Sequence, residues 1–545
     1  MGLKWCYLAF VLLSSAFLQT RAASSINAND LLRQTRVLAS DAFEGRSPGS
    51  PGEETTVAYL INQFRSFGLK PGGVNGSWTQ TVPIVGVTSE VRFSLDGQAL
   101  SGPQDFVAWS PSLTRRVELA SSELICVGYG VSAPEYGWDD FKGVNVRGKT
   151  VLILVGDPPV PDPKNPKILD PAFFKGTAMT YYGRWTYKFE EAGRRGAAAA
   201  ILIHETQAAA YPWFVVLNSW NGERFDLEDD RSVKTQIAGW MSLERTRSLL
   251  ESNGMTYEKL KESALRPDFK PFTLKQKTAF TSSQTFRSVQ SRNVLAQLEG
   301  RDPVARKEWI LYTSHWDHLG RDPRLKGDTI FNGAADNAIG TAGLLELAES
   351  FAREGRRPKR SLLFLSVTAE ERGLLGSAYY AANPVYPLNR TLAVINMDGL
   401  NQWGRTRDIR IVGYGSSSLE DLLTTAARKQ GRVTLPEAHP ERGMFYRSDH
   451  FEFMKKGVPS LYATSGMDFR DKPDGYGEMK VNEYIDRDYH KVSDEVKPDW
   501  DLSGAVEDLK LLQAVGRGLS TSQSWPKWRV GSEFKATRDA DQWRR

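Results

Sequence analysis

The stretch Leu362-Leu363-Phe364-Leu365-Ser366-Val367-Thr368-Ala369-Glu370-Glu371 is an apolar run of strand length that stops on two adjacent carboxylates. The same texture recurs on both sides. Residues 309–313 form a second such run and lead into Ser314-His315-Trp316-Asp317, and residues 392–396 lead into Met397-Asp398. Between the first two lies the small-residue loop Asn332-Gly333-Ala334-Ala335-Asp336-Asn337. It opens a predicted helix over 338–354, with Leu344, Leu345, Leu347, Ala348 and Phe351 on its apolar side. Residues 409–412 and 460–462 read as further strands, and residues 419–431 as a helix between them. Strands that alternate with helices predict an α/β fold, a mostly parallel sheet flanked by helices.

In open α/β sheets, functional groups gather beyond the carboxyl ends of the strands. His315, Asp317, Glu370, Glu371 and Asp398 all stand at such ends, Asp336 lies in the loop that opens a helix, and His490 precedes the last long helical stretch. Each has an ordinary reading by itself: a solvated helix start, a helix cap, a structural histidine. Together, two histidines and several carboxylates at neighbouring strand ends are a set of hard and borderline ligands suited to zinc.

Upstream the texture changes. From residue 91 to about 285, short β-rich runs at 123–127, 150–155 and 199–203 are separated by Gly- and Pro-rich loops dense in Trp and Tyr. This stretch carries no catalytic cluster, and His204 reads as structural. Residues 26–71 read as two helices around the breaker Ser47-Pro48-Gly49-Ser50-Pro51-Gly52. Gly45-Arg46-Ser47-Pro48-Gly49 matches a serine-hydrolase pattern by letter, but not on the strand-to-helix turn that the pattern requires.

At the start, Lys4, an apolar run over 5–18 and Thr20-Arg21-Ala22-Ala23 have the form of a cleaved secretory signal over residues 1–23. The expected location is therefore export, periplasmic or secreted, with no stable membrane association after cleavage. Cys6 leaves with the leader and Cys126 remains alone, so no internal disulfide is expected. The chain has 545 residues and a net charge of +5, which becomes +3 once Lys4 and Arg21 are removed. So small a charge calls for no nucleic acid and no anionic membrane as partner. The length calls for more than one domain. The expected division is 24–90 as the first part of a catalytic domain, 91–285 as an insertion, 286–522 as the main catalytic part, and 523–545 as a loosely ordered polar tail.

The segments Ser314-His315-Trp316-Asp317, residues 332–340, Thr368-Ala369-Glu370-Glu371-Arg372-Gly373-Leu374-Leu375-Gly376-Ser377, Asn396-Met397-Asp398 and Tyr489-His490 resemble the motifs of the co-catalytic two-zinc aminopeptidases, a family that also includes glutamate carboxypeptidase and glutaminyl cyclase. Residues 91–285 resemble an inserted protease-associated domain. The resemblance implies two zinc ions: His315 and Asp398 would hold one, Glu371 and His490 the other, and Asp336 would bridge. It implies Glu370 as general base and Asp317 as the residue that orients His315. It also points to Tyr489, His450 and Arg447 as groups near a peptide substrate. Many relatives have Asp and Ser where this chain has Ala335 and Ile339, while the bridging position is intact.

The expected activity is that of a zinc exopeptidase acting on peptides, an aminopeptidase first. A glutamate-carboxypeptidase-like enzyme, a glutaminyl cyclase and a receptor-like non-enzyme are the alternatives. A carboxypeptidase needs cationic groups for its substrate's carboxylate, and Arg447 has no basic neighbour in its loop. An aminopeptidase needs carboxylates for the substrate's ammonium, which the metal-site acids and Asp449 are expected to supply.

Overall fold

The computed structural model describes residues 26–230, 232–266 and 268–542. The expected leader lies outside them. The catalytic half is built on seven strands. In spatial order these are Val433–Pro436, Asp408–Ile411, Ser460–Ser465, Thr391–Asn396, Trp309–His315, Ser361–Val367 and the end of a long strand, Phe272–Leu298. The four-strand centre from Ser460–Ser465 to Ser361–Val367 is parallel. The sheet is mixed and mostly parallel, with helices on both faces, as expected.

Burial follows the two-residue period of a strand covered on both sides. Ile310 and Tyr312 point into a core with Leu31, Leu60, Phe64, Leu344, Phe351 and Leu512, whereas Trp309 and Leu311 point into one with Leu363, Tyr380 and Phe453. Helix Ile339–Ala352 is buried almost all round, so each of its leucines contributes about 1.5–3 kcal/mol of apolar burial. Helices Ala28–Leu38 and Pro51–Ser66 cover the same face and have side-chain caps at Asn27 and Ser50.

The insertion is not set apart by linkers. The expected boundaries at 90/91 and 285/286 fall inside two long antiparallel strands, Thr79–Leu95 and Phe272–Leu298, which pair from Thr79↔Val294 to Leu95↔Thr278. Beyond them the lobe continues the same sheet through the parallel strands Arg116–Cys126, Thr150–Leu154, Ala199–His204 and Ile237–Ser242. Phe272–Leu298 is mostly polar as far as Asn293, and in Thr79–Leu95 the one apolar stretch, residues 82–87, is interrupted by Pro83 and Gly86.

The C-terminal segment is docked, contrary to the expected loose tail. Trp528 and Phe534 are buried against Leu374, Phe451 and Met454. Arg538 donates to the carbonyls of Leu388 and Thr391 at 3.1 and 2.7 Å. The scattered aromatics anchor a segment whose polar majority faces water.

Candidate metal centre

The three central strands Thr391–Asn396, Trp309–His315 and Ser361–Val367 lie side by side, so their carboxyl ends meet. His315 ends one of them. After another, Ala369 turns the chain with φ 53°, a left-handed conformation costly for a residue with Cβ and typical of functional sites. That turn aims the amides of Glu370 and Glu371 at Asp317, whose Oδ1 and Oδ2 accept them at 3.0 and 3.4 Å. Asp317 therefore anchors the Glu-Glu turn. Its carboxylate is not bonded to His315 as expected, for His315 Nδ1 lies 3.8 Å from Asp317 Oδ1 and 3.2 Å from the Asp317 main-chain carbonyl.

Asp336 faces both histidines. Its Oδ1 is 3.5 Å from His315 Nε2 and its Oδ2 is 3.2 Å from His490 Nε2. His315 Nε2 also lies 3.2 Å from Asp398 Oδ1 and 4.0 Å from Glu370 Oε2. His490 Nε2 lies 3.1 Å from Glu371 Oε2. Two groups of ligand atoms have all members within 4.8 Å of one another: His315, Glu370 and Asp398, and His318, Asp336 and Glu371.

Several supports of this cluster carry no signal in the sequence. His318 is fully buried, with Nδ1 2.7 Å from Glu371 Oε1, so Glu371 meets His318 through one oxygen and His490 through the other. Asp494 accepts the amides of Ala335 and Asp336 at 3.0 and 3.1 Å. Arg46, buried within the segment that mimics a hydrolase pattern, donates to the carbonyls of Trp316, Leu38, Asn332 and Gly333. It thereby clamps the His315 loop to the Asp336 loop. Gly333 has φ 53°, and a Cβ there would meet the His318 ring at 2.5 Å. The lobe contributes as well: Ser219 Oγ is 2.8 Å from His490 Nδ1, and Asn218 Nδ2 donates to the His490 carbonyl at 2.7 Å.

The electrostatics are those of crowded buried acids. Burial, reinforced by Asp398, Glu371 and Asp449, pushes Glu370 well above the usual carboxylate range. Against burial, His490 and His318 hold Glu371 well below it. Burial opposes a charge on His490, but Glu371 and Asp336 raise it to about 9. Burial also lifts Asp317 and Asp494 to about 7 each.

A cavity of about 310 Å³ opens from this cluster. Glu370, Glu371, Asp336 and Asp398 lie at one end, with Leu400, Trp403, Val412, Met444 and Ile485 along its walls. Tyr489 and Arg447 line it as expected. His450 does not. It begins helix His450–Lys455 and is buried against Phe445 and Tyr462. Asp449 is fully buried and also absent from the lining, so it cannot receive a substrate's ammonium. The helix start turns both residues away from the cavity that Arg447 reaches.

The sequence profile of peptidase family M28 matches residues 293–513. A vacuolar membrane protease of Verticillium alfalfae is 31% identical over 102 residues, 19% of this chain and 9% of that protein. Leupeptin-inactivating enzyme 1 of Streptomyces exfoliatus is 29% identical over 192 residues, 35% of this chain and 40% of that one. This chain spans only 9–19% of the length of the vacuolar membrane proteases that it matches. Among solved structures, an aminopeptidase from Aneurinibacillus sp. strain AM-1 shares the fold with a TM-score of 0.51 at 19% identity, over 93% of this chain and 95% of that chain. The expected periplasmic or secreted location is overturned by these relatives, several of which are proteins of the vacuolar membrane. Among the described residues, no helix is long and apolar enough to cross a membrane. Profile and fold point the same way: residues 293–513 match peptidase family M28, and the chain shares the fold of a solved aminopeptidase.

Proposed function

We propose that this protein is a zinc-dependent aminopeptidase that holds two ions and removes N-terminal residues from peptides. One observation carries the two-site reading: the two oxygens of Asp336 face different histidines, Oδ1 toward His315 and Oδ2 toward His490. The donor set fits zinc on its own evidence. His490 Nε2 is buried between two carboxylates yet makes no hydrogen bond, as expected of a nitrogen aimed at a cation position. His315 and Asp398 would hold one ion, Glu371 and His490 the other, and Asp336 both. His318 would keep the second oxygen of Glu371 occupied.

Zinc, when bound, supplies Lewis acidity for the scissile carbonyl and for the attacking water. The remaining work falls to the chain. Glu370 lines the cavity and carries a raised proton affinity, so it suits a base that takes a proton from water and returns it to the leaving amine nitrogen. Asp317 fixes the turn that keeps Glu370 beside Glu371. The lobe, read as a protease-associated insertion, buttresses His490 through Asn218 and Ser219 and reaches the cavity wall with Ala210. The ammonium of a bound peptide would face Asp336, Glu370 and Asp398 at the cavity's end.

Elemental analysis of the zinc-loaded protein is expected to give close to two zinc ions per chain, and Asp336→Asn is expected to lower both occupancies. Chelation is expected to abolish hydrolysis of a free peptide, and N-terminal acetylation to block it. One ion per chain at saturating zinc would end the two-site reading; undiminished cleavage of the acetylated peptide would end the aminopeptidase one.

A further inference from the structure

The wall of the cavity remote from the metal ligands carries a carboxylate without a partner. Strands Ser460–Ser465, Asp408–Ile411 and Val433–Pro436 lie successively further from Thr391–Asn396, the strand that leads to Asp398. Their register keeps them level: Asn396 pairs with Tyr462, and Ile411 with both Ala463 and Pro436. Glu437 follows the edge strand. It therefore stands level with the end of the Asp398 strand and three strand spacings away, about 14 Å between backbones. Tyr462 spans the first part of that distance, its hydroxyl donating to the Asp398 carbonyl at 2.9 Å. Glu437 lines the same cavity as Asp336, Glu370 and Asp398.

The backbone holds Glu437 in place. Its amide donates to the Ile411 carbonyl at 3.1 Å, and its Oε1 accepts the Gly413 amide at 3.0 Å. Gly413 has φ 71°, and a Cβ there would collide with the Phe445 ring, so the turn that presents this amide needs a glycine. Oε2 is buried and has no hydrogen-bond partner. The basic groups that share the lining are engaged elsewhere. Arg410 donates to Asp408 and to the Pro436 carbonyl, Arg442 to Asn482, and His439 lies between Glu441 and Glu478. Arg447 lies over the Tyr211 ring, on the lobe side. Burial, opposed by the Gly413 amide, pushes the Glu437 carboxyl up to about 7. A buried carboxylate keeps its charge where a cation meets it, and here that cation is missing. The walls between Glu437 and the metal end include Leu400, Val412, Met444 and Met467. Such a surface suits the methylene stem of Lys or Arg, which packs on apolar groups and carries its charge to the tip.

We propose that Glu437 is a specificity-determining residue: it takes the cationic tip of a Lys or Arg side chain at the N-terminus of the peptide, while the stem lies along Leu400, Val412 and Met444. This rests on the aminopeptidase reading above and names its substrate class. The peptide's α-ammonium stays at the metal end, three strand spacings from Glu437, so the side chain alone sets the preference. A neutral side chain of the same length fills the apolar walls and leaves Glu437 unpaired, so the cavity selects by charge as well as by length.

The test uses the full zinc-loaded chain with the aminomethylcoumarin amides of lysine, arginine, norleucine and leucine. Norleucine has the stem of lysine without its charge. Lysine and arginine are expected to exceed norleucine in kcat/KM by about 10–100-fold, the size of a hydrogen bond to a charged group. Glu437→Gln is expected to lower the values for lysine and arginine and to raise those for norleucine and leucine. Loss of structure would lower all four, so the divergence separates recognition from folding. Should Glu437→Gln fail to fold, Glu437→Asp keeps the charge but draws it back, and is expected to shift the balance from lysine toward the longer arginine. Parity of lysine with norleucine in the parent, an unchanged ratio in Glu437→Gln, or an unchanged balance in Glu437→Asp overturns the proposal and leaves the aminopeptidase reading standing. If no substrate is hydrolysed, calorimetry with lysyl-alanine and norleucyl-alanine decides. Tighter binding of lysyl-alanine that is lost in Glu437→Gln removes the peptidase reading and keeps the recognition by Glu437; equal binding removes both.

Discussion

In the lobe, the parallel strands Thr150–Leu154 and Ala199–His204 are followed by Asp157 and by His204-Glu205. In the catalytic half, the corresponding ends carry His315, Glu370, Glu371 and Asp398. The lobe groups are each settled close to home. Asp157 accepts the amide and hydroxyl of Thr180, both at 2.7 Å. His204 Nε2 meets the Tyr211 carbonyl at 3.1 Å, and burial lowers its pKa to about 4. Glu205 pairs with Lys261 and Tyr257. In the catalytic half, adjacent strands aim their terminal groups at one shared point, and the Asp336 loop closes over it. A polar residue at a strand end is common to both halves; convergence of several without private partners distinguishes the metal centre.

The largest expected effect sets the halves furthest apart. Glu370→Gln should lower turnover by about 10²–10⁴-fold while leaving the metal content, read by elemental analysis, unchanged. Asp157→Asn, the matching change in the lobe, should leave turnover within a few-fold of the parent. A smaller effect tests how separate the halves are. Ser219→Ala removes the lobe's contact with His490 Nδ1, and loss of such a partner weakens metal affinity by about 10–100-fold. Chelator competition measures it, and an unaltered affinity would make the lobe a bystander at the metal centre. His204→Phe should cost about 1–3 kcal/mol in denaturant unfolding, through the buried carbonyl left unpaired, with zinc stoichiometry untouched. Any loss of zinc in that variant would erase the distinction drawn here.

A last test concerns an acid paired as in the lobe but located in the catalytic half. Glu346 is buried beside Gln34, whose Nε2 donates to it at 2.9 Å, and burial, with Asp30 and Glu349 near by, raises its pKa to about 8. A folded-state pKa raised above the ordinary 4.5 means that the stabilisation is full below pH 4.5 and is lost as pH rises to 8. Glu346→Gln should therefore match the parent at pH 4 and exceed its stability increasingly up to pH 8, as read by melting temperature across that range.

Residues 309–313, 362–367 and 392–396 stood out in the sequence because strands buried on both faces are continuous apolar runs. The five expected ligand positions shared the signal of those strand ends or of a recognised motif, and the structure brings all five together. What stayed hidden acts across distance. Arg46 serves loops some 270 residues away, Ser219 reaches His490 from the other half, and His318 differs from any loop histidine only through its contact with Glu371. The two long strands stayed hidden because Phe272–Leu298 is mostly polar and the apolar stretch of Thr79–Leu95 is interrupted by Pro83 and Gly86. His450 and Asp449 were drawn into the cavity by their closeness to Arg447 in sequence, which the turn at the helix start undoes.

The pairing of Thr79 with Val294 has a consequence for how the chain is made. The two partners are 215 residues apart, and a ribosome adding about 5–20 residues per second needs roughly 10–40 s to bring the second after the first. During that interval the strand Thr79–Leu95 lacks its longest partner, and an uncovered strand edge is the condition in which strands pair with the wrong neighbour. The candidate ligands from His315 to His490 lie still further downstream, so their cluster can form only after both strands of this clasp have been made.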